Sequence, residues 1–269
     1  MSLPTLADKI MAILRRDLLT AVRYRSAFML TATGTMAELA AFYYLSRAVG
    51  PGFRPEGLDY FSFLLVGTGF YTFLVMGIHS FLQAVQEAQQ NGTFELLMTT
   101  ATPPPVLILL SATSAFSRST VQLLLYLGAG LLIFKGALPR PGIAASLLIF
   151  VLSLIIAAAI GMMAAALQVA IQKGSVVLWV LGSGAWLLTG TLFPVASLPP
   201  PLRLVAQLIP ITHALDSMRV ALLQGASVLA LSREIGILSL FCAVLLPLGL
   251  MMFSYTLRKA RQEGTLSSY

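Results

Sequence analysis

Long apolar runs alternate with short polar links along almost the whole chain, and each run is of a length that can cross a bilayer. The runs are about Ala27 to Val49, Tyr60 to Val85, Val106 to Phe134, Ile143 to Ile171, Val176 to Phe193 and Ile235 to Leu257. A bilayer core needs about 20 apolar residues per helix and offers no water to unpaired backbone groups, so these runs predict six transmembrane helices. The third and fourth approach 30 residues, and should tilt or extend past the membrane. Ahead of them, Leu6 to Tyr24 places Leu6, Ile10, Met11, Ile13, Leu14, Leu18 and Val22 on one face and Lys9, Arg15, Arg16 and Arg23 on the other. This is the pattern of an amphipathic helix lying in a membrane interface.

Two polar interruptions are long enough to carry structure of their own. In the first, residues 86–105, Asn91-Gly92 signals a turn, Thr93 suits an N-cap and Glu95 falls in the following first turn. A short helix is predicted from Thr93, with Phe94, Leu96, Leu97 and Met98 as its apolar contacts, and Pro103-Pro104-Pro105 ending it before the third span. The second covers residues 194–225. Pro200 and Pro201 suit a first helical turn, Leu202, Val205 and Leu208 form a stripe, and Pro210 should end that piece. Thr212 is expected to cap a second piece carrying Leu215, Met218 and Leu222, which Gly225 stops. Neither piece is long enough to span, so a lid or a re-entrant hairpin is expected.

Composition sharpens this reading. Of 269 residues 58% are hydrophobic and 10% charged, far below the charge of about 25% in soluble domains. The net charge of +7 is split into clusters beside apolar runs, which suits anionic lipid headgroups and not nucleic acid. Basic residues before the first span and after the last, Arg258, Lys259 and Arg261, place both termini in the cytoplasm. The polar insert then faces the cytoplasm and residues 194–225 face outward. The first apolar run has full span length with no small-residue cleavage site after it, so it is expected to stay as an anchor. The lone Cys242 permits no disulfide framework within one chain and reads as a packing residue.

The segment EAQQNGTFELLMTTATPPP resembles the first cytoplasmic loop of ABC-2 type transporter permeases, and LFPVASLPPPLRLVAQLIPITHALDSMRVALLQG is similar to the same family's signature before its last span. The resemblance implies an all-α integral membrane protein. It would have six transmembrane helices, an N-terminal amphipathic interfacial helix (1–26), an outer re-entrant helical hairpin (194–225) and a cytoplasmic tail (258–269), all in one domain, 1–269. It further implies a permease of the bacterial inner membrane that pairs with a second permease copy and with two ATP-hydrolysing subunits. In such a complex ATP and Mg would sit in the partners, with no cofactor on this chain. By motif position Glu87, Gly92, Thr93, Phe94, Glu95 and Leu97 would make the ATPase contact, and Pro194, Pro199, Pro210, Thr212 and Arg219 would belong to the outer hairpin. The sequence supplies one independent point: it contains no G-x-x-x-x-G-K-[ST] phosphate loop. Export of a drug, lipid, glycolipid or polysaccharide is the activity implied.

Several polar residues fall inside apolar runs. Glu38 lies near the middle of the first, where a charge costs on the order of 2.5–3.5 kcal/mol. It reads either as a substrate or proton contact in a cavity or as a hydrogen-bonded contact between helices. Arg118 in the third run can snorkel to headgroups or pair with Glu38. Tyr43, Tyr44 and Tyr71 belong to an aromatic group that reads as an interfacial belt or as the lining of a pathway. His213 and Asp216 lack a third metal ligand nearby, and a surface contact of Asp216 with Arg219 is expected. Gly67, Gly69, Gly128, Gly130, Gly182 and Gly184 suggest close helix packing. No catalytic constellation is evident. An ion-coupled transporter using Glu38 and Arg118, or a membrane assembly factor, are the competing classes; the first would leave the capped polar insert without a role.

Overall fold

The computed structural model describes residues 25–90, 104–134, 142–171, 173–180 and 184–263. The expected amphipathic helix over Leu6–Tyr24 and the short helix expected from Thr93 lie outside the described residues, as do 264–269 of the tail. Within the described residues every regular element is helical. The long helices are α1 Arg25–Val49, α2 Tyr60–Gln90, α3 Pro104–Leu132 and α4 Ile143–Ile171. Short helices α5 Ser175–Val180, α6 Trp186–Leu188, α7 Pro200–Gln207 and α8 Pro210–Leu223 precede the last, α9 Ser232–Glu263.

Among the described residues α2, α4 and the Ser232–Ala260 part of α9 are long and apolar enough to cross a membrane. They pack together with α8, and α2 sits at the centre, buried along nearly its whole length. Its start is fixed by Asp59, whose carboxylate accepts from the Ser62 backbone N–H at 3.0 Å and from the Ser62 hydroxyl at 3.0 Å. This satisfies a donor that the first helical turn leaves without an intrahelical partner. One core joins Val66, Phe70, Phe73, Leu74 and Ile78 of α2 to Ile149 and Ile156 of α4, Leu215 and Met218 of α8 and Leu238 of α9. A second, toward the other end of the same helices, gathers Phe81, Val85, Met162, Phe253 and Leu257. Helix α1 rests on α2 and α3 through a smaller cluster of Leu39, Phe61, Leu65 and Tyr126.

The α4–α9 seam depends on a missing side chain. A Cβ at Gly249 would stand 2.8 Å from the carbonyl oxygen of Ala159, a contact only backbone displacement could relieve. Without a strong hydrophobic force between helices in lipid, such close approach supplies dispersion contact instead. Gly249→Val is therefore expected to destabilise the fold by about 1–3 kcal/mol, seen as a lowered unfolding temperature of the detergent-purified chain. Gly128→Val, at a glycine with open space around it, should change it little.

Four expectations need correction. The fifth apolar run is not one helix from Val176 to Phe193: α6 stops at Leu188, and Gly190, at φ 76°, turns the chain ahead of a 3-10 turn at Val195–Ser197. Pro210 does not close α7 but opens α8, because a first-turn position needs no N–H and welcomes the fixed φ of proline. Thr212 is then inside α8, with its hydroxyl buried and unpartnered, and caps nothing. Pro104 and Pro105 likewise begin α3 instead of preceding it. Pro200 and Pro201 do form the first turn of α7, and Gly225, at φ 70°, follows the end of α8. The Leu202, Val205 and Leu208 stripe of α7 is exposed.

Candidate functional site

Helix α8 is only 14 residues long, too short to cross, yet it is deeply enclosed. Ile211, Leu215, Met218 and Ala221 bury one side, and Arg219 lies on it too, four residues after Leu215, with no exposed surface. Its guanidinium is held from several sides. Nη1 donates to Gly190 O at 2.8 Å, Nη2 to Thr191 O at 2.8 Å and Nε to Phe63 O at 3.3 Å. The charge lies 3.6 Å from the centroid of the Phe63 ring, where the π face attracts a cation. Asp216 stands 3.6 Å from Nη1. Burial pushes the Asp216 carboxyl up to about 6 against the pull of Arg219, and burial lowers Arg219 to about 10, which leaves the guanidinium charged at neutral pH.

Space for this arrangement comes from α2: a Cβ on Gly67 would overlap Nη2 of Arg219. The Asp216–Arg219 pair expected at a surface is thus present, but its arginine is interior. Arg219 locks α8 to the start of α2 and to the turn after α6, whose carbonyls have left helical pairing. Neighbouring contacts tie down the same end. Tyr60 donates its hydroxyl to Leu192 O at 3.2 Å, and the Gly142 N–H ahead of α4 bonds Ala221 O at 2.8 Å. Arg203 of α7 binds the carbonyls of Ala196 and Leu198. Pro194 and Pro199 sit at the caps of the 3-10 turn and of α7. His213 contacts Gln207 O at 2.8 Å and the Phe241 ring; among the described residues no cluster fit for a metal occurs.

A second polar feature lies deeper along the helices. Glu38, midway along α1, is exposed at the helix surface and borders two hollows on either side of α2. The smaller, about 40 Å³, lies toward α3 and is lined by Thr35, Thr72, Ser119, Gln122 and Tyr126 among others. The larger is a groove of about 360 Å³ lined by Thr68, Tyr71, Thr72, Val75, Met76 and Trp186. The Thr68 hydroxyl and the Tyr126 hydroxyl are both buried without a hydrogen-bond partner, an arrangement that in apolar surroundings calls for a ligand or a bound water.

The remaining candidates divide. Tyr71 is buried and lines the groove with Glu38. Tyr43 joins an aromatic cluster with Phe61 and Phe134, under the guanidinium of Arg47, while Tyr44 points outward. Arg118 lies on α3, and its side chain, with the expected pairing to Glu38, is outside the described residues. Glu87 is exposed in the last turn of α2. Gly92, Thr93, Phe94, Glu95 and Leu97 lie outside the described residues. Sequence reasoning missed Gly67 as the recess for Arg219, although the Leu215–Arg219 spacing signalled a shared face. It also missed Thr68, Tyr126 and Trp186, which no local pattern connects to Glu38.

These features define a multi-pass helical membrane protein with a short buried helix, α8, held by Arg219 and a groove beside Glu38. The chain belongs to the ABC-2 type transporter family, whose model matches residues 8–223, up to the last residue of α8. No curated protein matches it. The family is one of transporter membrane subunits that work with ABC ATPases and hold no ATPase site of their own.

Proposed function

We propose that this chain is the transmembrane permease subunit of an ATP-driven exporter. It would move a hydrophobic or amphipathic compound out of the cytoplasm as a dimer with a second permease and two ATPase subunits. The family match over residues 8–223 carries the reading. In this arrangement the protein crosses the bacterial inner membrane six times with both termini inside. α1, with 25 residues, and α3, with 29, have the length to supply two further spans, and the stretch from α5 to α6 would supply another. Residues 194–225 form the outer re-entrant hairpin, and Arg219 keeps it seated. Glu87, in the last turn of the central helix α2, and Gly92, Thr93, Phe94, Glu95 and Leu97, which follow it in sequence, receive the thrust of the ATPase on the cytoplasmic side. Because α2 touches α1, α3, α4 and α8, displacement at its cytoplasmic end reaches both the groove at Glu38 and the hairpin.

Sidedness tests this reading. In a Cys242→Ala background a single cysteine replacing Glu95 should react with a membrane-impermeant maleimide only in inverted vesicles, and one replacing Gln207 only in whole cells. The opposite result for residue 95 would overturn the reading.

A further inference from the structure

The groove beside Glu38 has a chemistry that selects its occupant. Glu38 is an acidic residue on the exposed face of α1, a helix that the proposed arrangement sets in the membrane, and among the described residues no cation pairs with it. Thr68 is 2% exposed, lines the groove and has a hydroxyl without a partner. The other walls are the aromatic Tyr71 and Trp186, Thr72, and the apolar Val75 and Met76. At about 360 Å³ the volume falls within the range of about 300–1,000 Å³ that small-molecule sites occupy.

We propose that this groove recognises an organic cation, an amphiphile whose single positive charge rests against Glu38 while its apolar body lies along Tyr71, Val75, Met76 and Trp186. A carboxylate removed from water is stabilised by an opposite charge, and a cation entering low dielectric needs the same. The two aromatic walls add their own attraction for a positive group. An inorganic ion is poorly served here, because hard cations take six or more oxygen ligands and most of this lining is carbon. A neutral ligand would leave the carboxylate unpaired, and an anion would be repelled. The proposal rests on the export reading only in making this cation a cargo; the binding step needs no ATPase.

The test is equilibrium binding of radiolabelled tetraphenylphosphonium to the full-length chain in nanodiscs, with empty nanodiscs subtracted and tetraphenylborate as the anion of the same shape. Saturable binding of the phosphonium and none of the borate is expected. Glu38→Gln should weaken it at least tenfold, Glu38→Asp less, and Thr68→Val a few-fold. Should Glu38→Gln fail to fold, Trp186→Leu, expected to weaken binding about tenfold, carries the test together with the charge selectivity of the wild type. Absence of saturable binding, as a groove filled by a second copy would give, overturns the proposal. Equal binding of the borate, displacement by sodium ion, or unchanged affinity in both Glu38→Gln and Trp186→Leu does so too. Since no ATPase is present, a negative result here leaves the ATP-coupling reading standing. Loss of that reading would in turn leave a positive binding result in place.

Discussion

Replacing Arg219 by methionine is expected to leave little folded protein. The methionine fills part of the volume but offers no donor to Gly190 O, Thr191 O and Phe63 O, which the arginine now satisfies inside a buried recess. Each buried carbonyl left unpaired costs on the order of 1–3 kcal/mol, and Asp216 loses the cation beside it. A loss of about 3–5 kcal/mol is in line with breaking buried charged contacts from one side. Fluorescence-detected size-exclusion of the tagged protein should show most of the monodisperse peak gone. Arg219→Lys should be intermediate, because an ammonium is a point charge without the planar fork that reaches separate carbonyls. Gly67→Ala should resemble Arg219→Met, since the added methyl collides with the guanidinium and not with a flexible apolar tip. If Gly67→Ala acts through that collision, its cost in the Arg219→Met background will be smaller than in the wild type. Equal costs in both backgrounds would show that the recess serves something other than the arginine.

The second large effect is expected in the cytoplasmic insert, where changes should leave the membrane fold intact and stop transport. Glu95→Arg reverses a charge at a predicted helix start, where a carboxylate is favoured by the backbone dipole. Gly92→Pro fixes φ in a turn signal that uses glycine's freedom. Neither position lies in an apolar run, so the amount of inserted protein and its unfolding temperature should stay near wild type. Co-purification with the partner ATPase should fall at least tenfold, and ATP-dependent transport should fall with it. Full transport by both variants would remove the insert from the coupling path.

The helices α2, α4 and α9 were legible because a bilayer imposes one simple demand, a long run of apolar residues, and these three meet it. Helix ends followed less well. Proline reads equally as a stop and as a first residue, and at Pro104 and Pro210 the second use prevails. The fifth run failed as a single helix because hydropathy does not register a left-handed turn; Gly190 makes that turn within the apolar run. At the site, Glu38 stood out because a charge in the middle of an apolar run is unusual wherever it points. Its companions did not, since Thr68, Tyr126 and Trp186 come near it only where the packing of α1 on α2 and α3 leaves hollows, one of which α6 also borders. Arg219 shows the same limit: a helix face can be read from spacing, whereas the recess at Gly67, more than one hundred residues earlier, is a property of the fold.

In the proposed mechanism this chain moves its cargo with work done by another protein, delivered through the insert after α2. This is tested most directly by flux in proteoliposomes holding the purified chain, with and without its partner ATPase, and with or without ATP and Mg. Flux is expected only when chain, ATPase and ATP are together, and none from the chain alone under an imposed proton or sodium gradient. Gradient-driven flux by the chain alone would contradict it.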